Sequence, residues 1–274
     1  MKTTTLLVSL LLIFTSLINA QNVSPKHVNY YKTPESIETN NYKIDISNIV
    51  SKTEYAKFGI KITNIGTDYI MFNKGASEFV YKNGKYSDKE KIVYILPTKS
   101  KTKTIKATGT NMFHTDTINL VLKGLYIIPA KGKTVKAENF KLPASKNSFI
   151  AGNFRIKLLK LKQETQETYA KFECTYIGDE IGIVDPTKLS VKIDGKEEFE
   201  YANDNKKAKP ELLRKGEKVK FSVYFHIPAK ISDMQFAVLK INWNDTFQES
   251  VAKEVKSKTI NFIVDEGLTN GKNK

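Results

Sequence analysis

The chain has 274 residues, and 44 basic residues against 29 acidic ones give it a formal net charge of +15. Nearly all of the positive charge is lysine, because Arg155 and Arg214 are the only arginines. Arginine recognises phosphates and base edges in bidentate fashion, so this composition disfavours specific nucleic-acid binding. Cys174 is the only cysteine and cannot form an internal disulfide. Stability must therefore come from apolar burial rather than from cross-links.

The first twenty residues have the layout of a secretory signal peptide. Lys2 precedes a mostly apolar stretch from Leu6 to Leu17, and Ala20 is a small residue at the cleavage position. The stretch is too short for a membrane span, which needs about 20 residues. We predict an exported chain, periplasmic or extracellular, with no transmembrane segment after cleavage at residue 20. The polar residues 21–41 are predicted to form a flexible leader.

Two tetrapeptides occur twice, in the same order. Tyr-Ala-Lys-Phe begins at Tyr55 and again at Tyr169, whereas Ile-Pro-Ala-Lys begins at Ile128 and again at Ile227. Such self-similarity indicates one structural unit used twice. The first spacing is 169 − 55 = 114 residues and the second is 227 − 128 = 99. We therefore expect the first unit to be longer, with the excess around a lysine-rich segment.

Apolar and polar residues alternate along most of the chain, as they do in half-buried strands. This alternation places Ala56, Phe58, Ile60 and Ile62 on one face of a strand, and Ala170, Phe172 and Cys174 on the inward side of another. Asn83-Gly84 and Asp194-Gly195 are strong signals for two-residue hairpin turns. Helical patterns are few. The sequence predicts an all-β protein with two tandem immunoglobulin-like antiparallel β-sandwich domains. The predicted domains cover residues 42–147 and 148–264, and a frayed polar tail covers 265–274.

The second unit carries a family resemblance. Leu213, the Gly216-Glu217 turn, the alternating strand through Phe221 and the Ile227-Pro228 end form a recognisable order. This order resembles bacterial secreted immunoglobulin-like modules, most of which have no known function. The first unit lacks the Gly-Glu step. The resemblance implies a fold and an exported location, and it implies no reaction.

A lysine cluster dominates the first unit. Residues 21–147 hold 21 basic and 10 acidic residues, whereas residues 148–274 hold 22 and 19. The candidate anion-binding residues are Lys99, Lys101, Lys103 and Lys106. A patch of this kind attracts a polyanion such as an acidic polysaccharide. The alternative is a solvated loop or an edge strand that lysines protect from aggregation.

The sequence nominates no catalytic, cofactor or metal site. None of the three histidines, His27, His114 and His226, stands at metal-ligand spacing from another. Trp243, the only tryptophan, is expected in the second core or at its rim. The acidic residues around Asp179 and Asp185 do not form a recognisable calcium loop.

Three functional hypotheses follow. The first is a non-catalytic binding or structural protein of the bacterial cell envelope, whose basic domain contacts an anionic polymer, an envelope protein or a surface. The second is a periplasmic chaperone or assembly factor that acts through an exposed strand edge. The third is an enzyme with an unrecognised site, although no residue is nominated as nucleophile or base.

Overall fold

The computed structural model describes residues 26–109 and 113–274. The predicted signal peptide and the start of the predicted leader lie outside these residues. The first strands are β1 (Asn29–Tyr30), β2 (Ile37–Glu38), β3 (Tyr42–Ser51), β4 (Tyr55–Asn64), β5 (Tyr69–Asn73), β6 (Glu78–Tyr81), β7 (Gly84–Ser87), β8 (Ile92–Ile95), β9 (Ser100–Thr108), β10 (Thr117–Leu122) and β11 (Leu125–Ile128).

The second series of strands continues to the end of the chain. It comprises β12 (Lys133–Thr134), β13 (Phe140–Leu142), β14 (Ser148–Ala151), β15 (Phe154–Gln163), β16 (Glu167–Tyr176), β17 (Ile181–Val184), β18 (Ser190–Ile193), β19 (Lys196–Ala202), β20 (Glu211–Leu213), β21 (Lys218–His226), β22 (Leu239–Asn242), β23 (Phe247–Ser250), β24 (Lys253–Glu254) and β25 (Lys258–Ile263). Within the described residues, the remaining elements are two 3-10 turns, Lys74–Ala76 and Pro186–Lys188, and one helix, α1 (Glu266–Lys272).

The strands form two antiparallel β-sandwiches. In the first, the sheet β1-β3-β4-β9, extended by β2, packs against the sheets β24-β11-β5-β8 and β25-β10-β6-β7. In the second, the sheet β14-β15-β16-β21 packs against β12-β23-β17-β20 and β13-β22-β18-β19. We call these sandwiches the first unit and the second unit. The prediction of an all-β protein built from antiparallel sandwiches is confirmed.

Each unit has its own aromatic core. Phe58 on β4 is fully buried, and its ring centre lies 5.6 Å from those of Phe79 and Phe262. Phe172 on β16 is also fully buried, and its ring centre lies 5.5 Å from that of Trp243. The inward sets predicted from period-two alternation are therefore the sets that form the cores.

The two units exchange their last strands. β12 and β13 follow the first unit along the chain, but they pair with β23 and β22 of the second unit. β24 and β25 follow the second unit, but they pair with β11 and β10 of the first unit. The predicted boundary near residue 147 does not follow this pairing. Alternation indicates which face of a strand is buried, and it does not indicate which neighbour the strand joins.

The repeat has a different register from the one that the tetrapeptides suggested. β3 and β15 begin 112 residues apart, at Tyr42 and Phe154, and β5 and β17 keep this spacing, at Tyr69 and Ile181. The Tyr-Ala-Lys-Phe copies, 114 residues apart, are thus two residues out of step. The Ile-Pro-Ala-Lys copies are not equivalent, because one begins at the last residue of β11 and the other directly follows β21.

The strand spacings also show which of the two units is longer. β9 and β21 begin at Ser100 and Lys218, 118 residues apart, and β10 and β22 begin at Thr117 and Leu239, 122 residues apart. The spacing grows from 112 to 122 residues along the repeat. The second unit is therefore the longer one, and the prediction of additional residues in the first unit was wrong.

Both predicted flexible ends are ordered where the structure describes them. Tyr31, within the predicted leader, is only 4% exposed, and its hydroxyl hydrogen-bonds Ser51 Oγ at 2.7 Å. The predicted tail contains helix α1, whose Thr269 Oγ1 accepts a hydrogen bond from the backbone N–H of Tyr30 at 3.0 Å. Local polarity hid these contacts because they join opposite ends of the chain. Across residues 26–109 and 113–274, no helix combines the length and apolar character required to cross a bilayer.

A third apolar cluster joins the two units. It contains Tyr69 and Met71 of β5, Ile128 of β11, Ile181 and Ile183 of β17, and Leu212 of β20. An ion pair between Arg214 and Glu90, 3.8 Å apart, also crosses between the units. The two sandwiches are therefore packed face against face rather than joined only by a linker.

Candidate functional site

The lysine cluster lies on an edge strand. β9 pairs with β4 on one side, whereas its other side forms the edge of its sheet. Lys101, Lys103 and Lys106 are on β9, and Lys99 lies in the turn that precedes it. Of the two alternatives to a dedicated anion site, the structure thus shows an edge strand rather than a loop.

The four candidate lysines do not share one face. Lys101 stands opposite Ile62 and Lys103 opposite Ile60, and both isoleucines are buried on the inward face of β4. Directly opposite residues of an antiparallel pair point to the same face. Lys101 and Lys103 therefore lie on the inward side of the sheet at its border, where Lys101 is exposed and Lys103 is half-buried.

Lys106 points the other way, onto the outer face. It stands opposite Lys57 of β4, and like charges in such a pair repel each other. Both ammonium groups lie near the ring of Tyr55, at 4.5 Å from its centroid for Lys106 and 5.7 Å for Lys57. Sequence reasoning missed Lys57 and Tyr55, because only the β4–β9 register brings them to the lysine cluster.

The free edge of β9 already binds a carboxylate of this chain. The backbone N–H of Lys106 points away from β4 and donates to Asp88 Oδ2 at 2.9 Å. Because edge-facing groups alternate along an antiparallel strand, the N–H groups of Ser100, Thr102 and Thr104 face the same way. This edge therefore presents a row of donors between lysine side chains.

Asp88 is held as an anion at this edge. Burial raises its pKa, but hydrogen bonds from the Lys74 ammonium and the N–H groups of Lys106 and Lys89 outweigh burial and lower the pKa overall. Lys74 Nζ lies 2.7 Å from Asp88 Oδ2. The Asp88 carboxylate is thus an oxyanion of this chain that is bound at the end of the β9 edge.

The surrounding lysines are not neutralised by partners. Within the part of the chain that the structure describes, Lys57, Lys101, Lys103 and Lys106 take part in no ion pair. Lys99, Lys101 and Lys106 are exposed to solvent. We call Lys57, Lys101, Lys103 and Lys106, with the donors of β9, the basic edge.

Two histidines far apart in sequence also meet in the first unit. His27 Nδ1 lies 2.8 Å from His114 Nε2, although 87 residues separate the two positions. The burial of His114 and the nearby His27 ring lower the pKa of its imidazole. Sequence spacing gave no signal for this pair, because it depends on where β1 docks.

Cys174 and Trp243 have structural roles. Cys174 is fully buried in the second core, and burial raises the pKa of its thiol to about 12, which keeps it protonated and unreactive. Trp243 is 4% exposed and packs between Phe149, Phe172 and Phe247. The expectation that the tryptophan fills the second core is confirmed.

The acidic residues of the second unit do not converge. Asp185 accepts hydrogen bonds from the N–H and the hydroxyl of Thr187 and caps a 3-10 turn. Asp179 instead forms an exposed ion pair with Lys215 at 2.7 Å. Among the described residues, no group of three or more His, Cys, Asp or Glu side chains is arranged to hold a metal ion.

Comparisons with known proteins identify no family for this chain. No family model matches the sequence, and no curated protein matches it either. One similar solved structure is a conserved domain protein from Bacillus anthracis, with 12% identity over 92% of this chain and 98% of that chain and a TM-score of 0.25. Another is the secreted serine protease VesC from Vibrio cholerae, with 10% identity over 84% of this chain and 53% of that chain and a TM-score of 0.16. At these TM-scores neither likeness supports a conclusion about fold or function.

Proposed function

We propose that this chain is a non-catalytic, exported binding protein of the bacterial cell envelope, and that the basic edge of its first unit contacts an anionic polymer or surface. The observation that carries this proposal is the edge of β9. There, outward N–H donors alternate with lysines that have no acidic partner in the described part of the chain. Asp88 on the Lys106 N–H is an internal example of the contact that an external oxyanion would make.

Charge geometry supports an anion of extended shape. Lys106 and Lys57 face each other across the register, so an anionic group between them relieves their mutual repulsion. Lys101 and Lys103 lie further along the same strand, on its other face. A polymer with repeated carboxylate, sulfate or phosphate groups can follow the edge and contact both sets, whereas a single small anion cannot.

Retention on immobilised polyanions tests the proposal. We expect the full exported chain to bind heparin-agarose and immobilised polygalacturonate, and to elute earlier as salt rises, because salt screens exposed charges. The triple variant Lys101→Gln, Lys103→Gln, Lys106→Gln should elute at clearly lower salt. Its control is Lys160→Gln, Lys171→Gln, Lys218→Gln, which removes the same charge from the second unit.

The two triple variants distinguish a site from net charge. An equal loss of retention in both would mean that overall charge alone binds the polymer, and the proposal would be wrong. Retention that does not depend on salt would also contradict it. A specific site requires that the first-unit variant lose much more retention than its control.

The alternative hypothesis, a chaperone or assembly factor that adds a client strand to an exposed edge, uses the same strand. Lys101 and Lys103 point to the inward side of the β9 edge, a device that opposes pairing with a further strand. The arrangement therefore favours anion contact over strand addition. Co-purification of a client whose strand protects β9 amides from hydrogen exchange would reverse this preference.

A further inference from the structure

The contact between His27 and His114 is a second feature that the proposed function does not use. The two ring centroids lie 5.0 Å apart with an interplanar angle of 63°, so one ring presents its edge to the other. His27 Nδ1 and His114 Nε2 are only 2.8 Å apart, and both residues are half-buried. Two nitrogens from different segments therefore point at one place.

The surrounding structure holds the backbone next to both histidines. Asn29 Nδ2 and Tyr31 OH donate to the carbonyl of Thr115, the residue after His114, at 3.2 and 2.5 Å. On the other side, the Asn273 side chain bonds both the N–H and the carbonyl of Val28, the residue after His27. These hydrogen bonds hold the backbone beside each member of the pair, so the two histidines meet from anchored segments.

We propose that His27 and His114 bind a divalent transition-metal ion, Zn²⁺ or Cu²⁺, through His27 Nδ1 and His114 Nε2. Imidazole nitrogen suits both ions. A neutral pair shares one hydrogen between the facing nitrogens. When the donating ring moves that hydrogen to its other nitrogen, both facing lone pairs are free, and the metal takes the place of the hydrogen with no net proton release.

The geometry requires little adjustment. Zinc–nitrogen bonds are about 2.0–2.1 Å long, and two of them at a tetrahedral angle place the nitrogens about 3.3 Å apart. The rings therefore need to separate by about half an ångström from the observed 2.8 Å. In the described ranges no third His, Cys, Asp or Glu joins the pair as part of a metal-ligand cluster, so within those ranges the two imidazole nitrogens are the protein ligands.

Histidine NMR signals test this inference without any substitution. The chain contains three histidines, and the third, His226, lies at the exposed end of β21 in the second unit. Addition of Zn²⁺ to the untagged full exported chain should shift the ring C–H signals of two histidines and leave the third unchanged. Shifts of no signal, of one signal or of all three would overturn the proposal.

Variants then assign the ligands. His27→Gln and His114→Gln should each weaken Zn²⁺ binding at least about tenfold in competition with a fluorescent zinc chelator. His226→Gln is the matched control and should bind Zn²⁺ as the unaltered chain does. Equal binding by all three variants would show that the pair is not the site. The polyanion retention of the basic edge should be unchanged by His114→Gln, so the two proposals succeed or fail separately.

Discussion

The two units share one topology but differ in chemistry at equivalent positions of their edge strands. In the first unit the outer-face pair is Lys57 opposite Lys106. In the second unit the equivalent pair is Tyr169 opposite Tyr224, whose ring centres lie 4.9 Å apart. An aromatic contact in the second unit thus occupies the place that a repelling pair of charges occupies in the first.

On the inward side of the two edge strands, too, the first unit has charged residues where the second unit has apolar ones. Lys101 and Lys103 of β9 correspond to Val219 and Phe221 of β21, 118 residues further along the chain. Phe221 packs on Phe172 with stacked rings 5.5 Å apart and is only 7% exposed. The second unit therefore extends its core to the edge, whereas the first unit places lysines there. The same fold can therefore have an apolar, buried edge strand or a charged, exposed one.

The largest expected effect comes from removing the strands that the second half of the chain lends to the first unit. Truncation after Ala252 deletes β24, β25 and α1, and should expose β10 and leave Phe58 without its contact to Phe262. Hydrogen exchange should accelerate throughout the first unit. Trp243, in the second core, should keep its buried fluorescence.

This truncation distinguishes exchanged from unexchanged strands. If each unit instead contained its own last strands, the deletion would expose the core of the second unit. The Trp243 emission would then shift to the red, while the first unit would stay protected from hydrogen exchange. The matched deletion within the chain, residues 133–142, should do the opposite of the truncation, because β12 and β13 complete the second unit.

Single substitutions in the two cores should have smaller effects than these deletions and should show which unit each residue belongs to. Phe262→Ala and Phe247→Ala each remove a fully buried ring and should each cost about 3–5 kcal/mol of unfolding free energy, measured by urea denaturation. Phe247 lies 5.3 Å from Trp243, so its loss should change the native tryptophan emission. Phe262 packs in the other unit, and its loss should leave that emission unaltered. A change in emission for Phe262→Ala would contradict the assignment of β25.

The sequence predicts well which face of a strand is buried, and it predicts poorly which strand lies next to it in the sheet. The two-residue error in the register of Tyr55 and Tyr169 did not alter the inward assignment of Phe58 and Phe172, because side chains alternate with a period of two. The exchange of β13 and β25 was not predictable, since both are short strands with buried residues and either fits an apolar sheet edge. The basic edge was half predicted: its lysines stand together in sequence, but Lys57 joins them only through sheet pairing.

An intermediate effect is expected at the capped end of the β9 edge. Asp88→Asn removes the charge that Lys74 and the Lys106 N–H share, and should cost about 1–2 kcal/mol at pH 7. Because the folded-state pKa of Asp88 is lowered from its usual 3.8, its contribution is present above that value and is lost as pH falls through the lowered value. The difference between the two proteins in urea denaturation should therefore shrink as the pH falls below 3.8.

An exposed aspartate provides the control for this titration. Asp179 pairs with Lys215 but its side chain is 87% exposed, so Asp179→Asn should change stability by less than about 0.5 kcal/mol. A similar cost for both variants would mean that the Asp88 contacts are no stronger than an ordinary surface pair, and the picture of a preformed oxyanion contact at β9 would fail.

The smallest effect on stability, and the most direct test of the comparison, comes from giving the first unit the edge of the second. The double variant Lys101→Val, Lys103→Phe copies the side chains found at the equivalent positions Val219 and Phe221. It should change the unfolding free energy by less than about 1 kcal/mol. It should nevertheless promote self-association, because inward-pointing lysines no longer guard the free donors of the β9 edge. Sedimentation velocity at increasing concentration measures this, with Lys101→Gln, Lys103→Gln as the variant that loses the charge but stays polar. Association of the apolar variant alone would show that the lysines protect an open edge, whereas two monomeric variants would show that the edge needs no such protection.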